Sequence, residues 1–174
     1  MLGIKDKNVN VYIVDDDKLV LKILSSKFIS ISKYNLKTYL NGEDFLEDFI
    51  KFPPSNKSIN VLVLDYQLSS NLNKDAKNGS EILKFVKEIN PKINVIMHSS
   101  NNDIEVASKA IELGARTFVK KNENSFLRIN NQIKAVINEN ILENKKSYSR
   151  LTQFIFAGLL IVFVFLVLFE ILTD

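Results

Sequence analysis

Residues 59–65 read INVLVLD, a mostly apolar run that ends on an acid. Residues 9–16 read VNVYIVDD, a second such run that ends on two. Short, continuous apolar runs of this kind fit strands buried on both faces of a sheet. Both close on aspartates, so several negative charges collect at one sheet edge and repel one another unless a cation lies between them. Hard carboxylate oxygens suit Mg²⁺, which takes one or two carboxylates together with water and phosphate oxygens.

The neighbouring segments give the rest of the frame. Strands are predicted at 9–14 (β1), 34–39 (β2), 59–64 (β3), 93–97 (β4) and 116–120 (β5). Helices are predicted at 18–31 (α1), 43–51 (α2), 80–89 (α3), 102–113 (α4) and 125–148 (α5), from apolar residues spaced three and four apart. In α1 these are Leu19, Ile23, Leu24, Phe28 and Ile31; in α2, Phe45, Leu46, Phe49 and Ile50. Pro53-Pro54 and Pro91 stop helices, and Gly114 suits a helix C-terminal cap. Residues 66–79 are polar and predict a loop. Five βα repeats predict an α/β fold: a doubly wound, five-stranded parallel sheet, flavodoxin-like, with helices on both faces. Sites in such sheets lie beyond the carboxyl ends of the strands. Asp15, Asp16, Asp65, Ser99 and the lysines at 120 and 121 all fall there.

Composition narrows the classes. The chain has 174 residues and no cysteine, which excludes disulfides and thiolate metal sites. Its formal net charge of +3 comes with no basic stripe, so no nucleic-acid partner is expected. The first residues, MLGIKDKNVN, lack the apolar region of a signal sequence, so the globular part is expected to stay where it is made.

The chemistry follows from the edge. An aspartate beside Mg²⁺ can act as nucleophile toward a phosphoryl group. Asp65 is the candidate nucleophile, Asp16 with Asp15 behind it the candidate cation holder. A lysine and a serine hydroxyl can then bind phosphoryl oxygens.

The set VYIVDDD, VLVLDYQL, VIMHSS and GARTFVKKN resembles the CheY-like receiver domain of two-component response regulators, over residues 9 to about 142. Carried over by motif, the resemblance implies that Asp65 is the phosphoacceptor. It implies that Mg²⁺ is held by Asp15, Asp16, Asp65 and the backbone carbonyl of Gln67. Ser99 and Lys121 are implied as the phosphoryl-binding residues, and Ser99 with Phe118 as the switch pair. The implied partner is a histidine kinase or histidine phosphotransfer protein, and α4–β5–α5 is implied as the face that couples output and could pair two copies. Such a protein is not an enzyme in the ordinary sense: it phosphorylates itself from a donor and loses the group slowly. The departures are Ser69 and Asn122 where the family carries prolines, and Gly79 fourteen residues after Asp65 rather than about eight. At 99 Ser stands where the family carries Thr, which keeps the hydroxyl and loses a methyl.

Other readings attach to the same residues. Asp15, Asp16 and Asp17 can form a helix-capping turn, and Asp17 fits that role best. Lys120 is expected to face solvent. His98, the single histidine, is expected to pack at a strand end rather than carry phosphate. A phosphohydrolase with an aspartate nucleophile would need a second acid two residues on, where this chain has Gln67. A receiver-shaped interaction module that is never phosphorylated would carry the same fold.

Residues 151–172 are apolar almost throughout. At ~1.5 Å per residue a helix of that length spans ~33 Å, about the hydrocarbon thickness of a bilayer. The expectation is therefore a receiver domain at 1–142, a basic juxtamembrane extension at 143–150 with Lys145, Lys146 and Arg150, and a transmembrane helix at 151–172. Positive flanking residues place the domain in the cytoplasm, as a single-pass protein with a C-terminal anchor. Output would then run through protein contact rather than DNA binding.

Overall fold

The computed structural model describes residues 8–31, 34–55, 57–68, 77–100 and 104–173, and within the last helix the side chains of 125–143, 146 and 152–161. Five strands and five helices alternate. They are β1 (Val9–Val14), α1 (Lys18–Ile31), β2 (Asn35–Tyr39), α2 (Gly42–Lys51), β3 (Ile59–Asp65), α3 (Gly79–Ile89), β4 (Asn94–Ser99), α4 (Ile104–Glu112), β5 (Thr117–Lys120) and α5 (Ser125–Thr173). All strand pairs are parallel, in the order β2-β1-β3-β4-β5. Every residue of β3 is buried, as its central place requires, whereas β2 at the edge has no buried residue.

Side chains of a strand alternate between faces, and here each face has its own core. Tyr12, Val14, Leu62, Leu64, Val95 and Met97 meet Phe45 and Phe49 of α2 and Ile82 and Val86 of α3 on one side. Val11, Ile13, Val61, Val63 and Ile96 meet Leu24 and Phe28 of α1 and Ile129 and Ile133 of α5 on the other. The Phe28 and Phe126 rings join α1 to α5 edge-on, with centroids 5.0 Å apart. The one polar residue inside β3's apolar run, Asn60, is fully occupied. It accepts from Asn10 Nδ2 at 2.7 Å and donates to the Ser55 and Ser58 carbonyls, while Asn35 donates to Asn10. Asn10 pairs with both Asn35 and Asn60 in the sheet, so this ladder fixes the register of three strands at the end away from the acids.

Not every residue of the predicted apolar stripes is buried. Leu19 and Ile23 of α1 are exposed, and Leu21 is buried in their place. Ile50 of α2 is also exposed. A stripe of four or five apolar residues is wider than the strip of helix that one sheet face covers, so its margins stay in solvent. Gly114 has φ +96° and follows α4, as its expected capping role requires. The start predicted for α4 at 102, residues 69–76 of the loop after β3, and the Ile31, Lys145 and Arg150 side chains lie outside the described residues.

The chain divides into two compact units, Met1–Ile137 and Asn138–Asp174. In the second unit Phe154, Ile155, Phe156, Leu159, Leu160 and Ile161 are each more than half exposed. Among the described residues no helix is long and apolar enough to cross a membrane. The side chains of 162–172, half of the expected span, lie outside those residues.

Candidate functional site

β1 and β3 are neighbours, but the chain leaves β1 toward β2 on one side and reaches β3 on the other. A crevice opens beyond the carboxyl ends of such a pair, where the winding reverses. Asp15 and Asp16 follow β1, and Asp65 is the last residue of β3. The sequence could place these acids only at strand ends; the strand order puts them side by side. One carboxylate oxygen from each of Asp15, Asp16 and Asp65 lies within 4.8 Å of the others.

The two buried acids are held in the same way. Asp15 Oδ1 accepts the backbone N–H of Asp17 at 3.1 Å, and Asp65 Oδ1 accepts that of Gln67 at 3.2 Å. Each then turns its Oδ2 to the Lys121 ammonium, at 2.8 Å in both cases. Lys121 reaches them because its own N–H bonds the Ser99 carbonyl at 2.7 Å, extending the β4–β5 pairing by one residue. Lys121, rather than Lys120, is therefore the lysine of this edge. Ser99 is fully buried at the end of β4, and Phe118 is partly buried against the core beside α4. Gln67 is exposed, and its side-chain oxygen accepts from Ser100 Oγ at 3.3 Å. Asp17 stands apart from the cluster: its Oδ1 accepts the N–H of Leu19 at 2.7 Å and caps α1.

Two buried carboxylates share the Lys121 ammonium here. Burial pushes the Asp15 carboxyl up to about 6, with Lys121 opposing and Asp65 adding to the rise. Burial also raises Asp65, again against the pull of Lys121. For Lys121 burial acts downward, but its hydrogen bonds and charge pairing with the two acids outweigh it, and its pKa rises. Acids made costly to ionise by burial, in a cluster that is all oxygen donors, fit a small hard dication. His98, on β4 beside them, is buried and driven down to about 3 by burial and by Lys121, so it is neutral near pH 7.

One contact had no sequence signal. Gly79 opens α3, and a Cβ placed on it would lie 2.1 Å from the Asp65 carbonyl oxygen. Its N–H bonds the Tyr66 carbonyl at 3.1 Å. A glycine after a long polar loop says nothing of which backbone it will touch.

Residues 11–133 match the response regulator receiver domain family. The chain belongs to that family. Receiver domains bind Mg²⁺ at an acidic pocket and act with histidine kinases or phosphotransfer proteins, and the acidic cluster of this receiver domain accords with that pocket. Among curated relatives, the response regulator protein TodT of Pseudomonas putida is 30% identical over 116 residues, covering 67% of this chain and 46% of TodT. The chain thus spans about half the length of the curated relatives it matches. Among solved structures, the beryllofluoride-activated receiver domain of DrrB is 32% identical with a TM-score of 0.60, covering 74% of this chain and 97% of that one. The response regulator DrrB of Thermotoga maritima is 30% identical with a TM-score of 0.58, covering 75% of this chain and 53% of that one.

Proposed function

We propose that this receiver domain accepts a phosphoryl group on Asp65 from a histidine kinase or histidine phosphotransfer protein. The observation that carries the reading is the bridge from Lys121 to both Asp15 and Asp65. A carboxylate attacks phosphorus as a P–O bond forms, the donor's P–N bond breaks, and the imidazole leaves with the electron pair and takes up a proton. Asp65 is the attacking acid because it alone of the three ends the central strand. Asp15, Asp16, Asp65 and the Gln67 carbonyl would hold Mg²⁺, which supplies positive charge between the attacking carboxylate and the phosphoryl oxygens. Lys121 is positioned to leave the acids and pair with a phosphoryl oxygen, with Ser99 binding another and Phe118 moving with it. The protein is then a phosphoacceptor that turns over only by slow loss of its own phosphoryl group.

Labelling with a small phosphodonor and Mg²⁺, read by intact mass, tests this. One added phosphoryl group is expected, lost on chelation and absent from Asp65→Asn. Labelling of a folded Asp65→Asn variant would overturn the assignment, and no labelling of the folded, Mg²⁺-binding parent would favour an interaction module.

The second unit is proposed as a membrane anchor spanning 151–172, with the receiver in the cytoplasm and signalling by protein contact. Support comes from the apolar sequence of that block and from the exposed side chains at 154–156 and 159–161, which go all round the helix and leave no polar stripe. Extraction of the protein from membranes by alkaline carbonate would overturn the anchor.

A further inference from the structure

The two ends of the sheet differ in charge. Asp15, Asp16 and Asp65 lie at the carboxyl ends of the strands. Helices that join parallel strands run back along them, so α1, α2 and α3 finish at the amino ends. There Lys51 closes α2, Lys57 precedes β3 and Lys92 precedes β4, and all three are exposed. Among the described residues the acids at this end are Glu88 and Glu112, which Lys87 and Arg116 offset in number. Asp48, one turn back in α2, is paired with Lys37. The three exposed lysines therefore give this end a positive sign.

The same end carries exposed apolar side chains. Ile50 and Phe52 stand at the end of α2, and Ile89 ends α3, its neighbour on one face of the sheet. Ile29, in the last turn of α1, is 72% exposed at this end of the other face. Phe52 is 63% exposed, with the Lys51 ammonium 5.7 Å from its ring centroid. A single exposed apolar residue is ordinary on a protein surface. Here four fall at one end, among lysines. They stand on helices from both faces of the sheet, which a flat surface can reach together and a single groove cannot. Apolar tips set among lysines match the interface of an anionic bilayer, where rings and alkyl groups enter the headgroup layer and ammonium groups meet lipid phosphates.

We propose that the amino-end face of the receiver domain docks on the surface of an anionic bilayer, through Ile50, Phe52 and Ile89 together with Lys51, Lys57 and Lys92. The inference rests on the anchor reading for its direction. α5 also runs back along the sheet, so the chain leaves the first unit at this end and continues in sequence to the apolar block at 151–172. Lys145, Lys146 and Arg150, in between, add positive charge that the same headgroups attract. Docking by this face turns the acidic site away from the bilayer and leaves Asp65 open to a phosphodonor.

The chain has no tryptophan, so Phe52→Trp in the full chain places a single one on this face. With vesicles of phosphatidylcholine and phosphatidylglycerol, its emission should shift to the blue and be quenched by brominated acyl chains. Quenching should fall with phosphatidylcholine alone or at high salt, where the attraction of the lysines is absent or screened. Lys51→Gln, Lys57→Gln and Lys92→Gln should each weaken the docked state about fivefold. Unmoved emission in a chain that floats with the anionic vesicles would overturn the proposal, since α5 would then hold the domain clear of the surface. Quenching equal in both lipids and unchanged by the three Gln substitutions would overturn it too. Failure to float with either kind of vesicle would overturn the anchor and the contact together. A chain released by salt, and quenched only while bound, would keep the contact and overturn the anchor alone.

Discussion

Gly79 and Asp65 meet backbone to backbone: the position a Cβ would take on Gly79 is 2.1 Å from the Asp65 carbonyl oxygen and 2.8 Å from Tyr66 Cα. The first residue of α3 therefore braces the end of the strand that carries the candidate phosphoacceptor. Neither neighbour is a flexible side chain, so an added methyl group must move one backbone segment. Gly79→Ala should cost about 1–3 kcal/mol, as overpacking does, and should slow labelling of Asp65 more than the loss of folded protein explains. Urea unfolding together with the labelling rate would show whether α3 braces the strand in this way.

Lys121 is paired with both buried acids at once. Lys121→Met removes the positive charge that offsets burial and repulsion at Asp15 and Asp65. The variant should lose roughly 3 kcal/mol near neutral pH, the low end of the cost of breaking a buried pair, since the lysine is partly exposed. Added Mg²⁺ should restore more stability to the variant than to the parent, because it replaces the missing positive charge. Thermal unfolding with and without Mg²⁺ checks both parts, and equal Mg²⁺ stabilisation of the two proteins would count against the cation site.

Asp15 and His98 make opposed contributions to the pH dependence of stability. Asp15 titrates near 6 when folded and at its ordinary 3.8 when unfolded. In that window the folded state holds the extra proton, so its contribution falls as pH rises. His98 titrates near 3 when folded and at 6.5 when unfolded. The unfolded state holds that proton, so the His98 contribution is full above 6.5 and is lost as pH falls toward 3. His98→Leu should therefore remove an acid-destabilising effect. Relative to the parent, the variant should gain stability as pH is lowered from about 6.5, and a difference independent of pH would show that the ring is solvated.

Asn10→Ala removes the donor to Asn60 Oδ1 in the middle of the ladder. Asn60 is buried, so its oxygen is left without that bond, at a cost of about 1–3 kcal/mol. The acids lie at the opposite end of the strands, so Mg²⁺ affinity and the labelling rate should not change once stability is allowed for. A large loss of labelling in the folded variant would mean that register at one end of the sheet controls the other.

The apolar runs of β1 and β3, and the acids that close them, were legible because a buried parallel strand needs side chains apolar on both faces and tolerates charge only past its end. The same reasoning located Ser99 and the lysines at 120 and 121, of which the family resemblance implied Lys121, and five βα repeats left few folds to choose from. The margins of α1 and α2 were not legible: Leu19, Ile23 and Ile50 have the spacing of buried residues, but how wide a strip the sheet covers depends on the neighbouring helices. Nor could the sequence show Lys121 bridging Asp15 and Asp65, or Gly79 against the Asp65 backbone. Those contacts join residues separated by between 14 and 106 positions. Local patterning reports which face of an element is buried, whereas strand order and helix placement decide what each buried group meets.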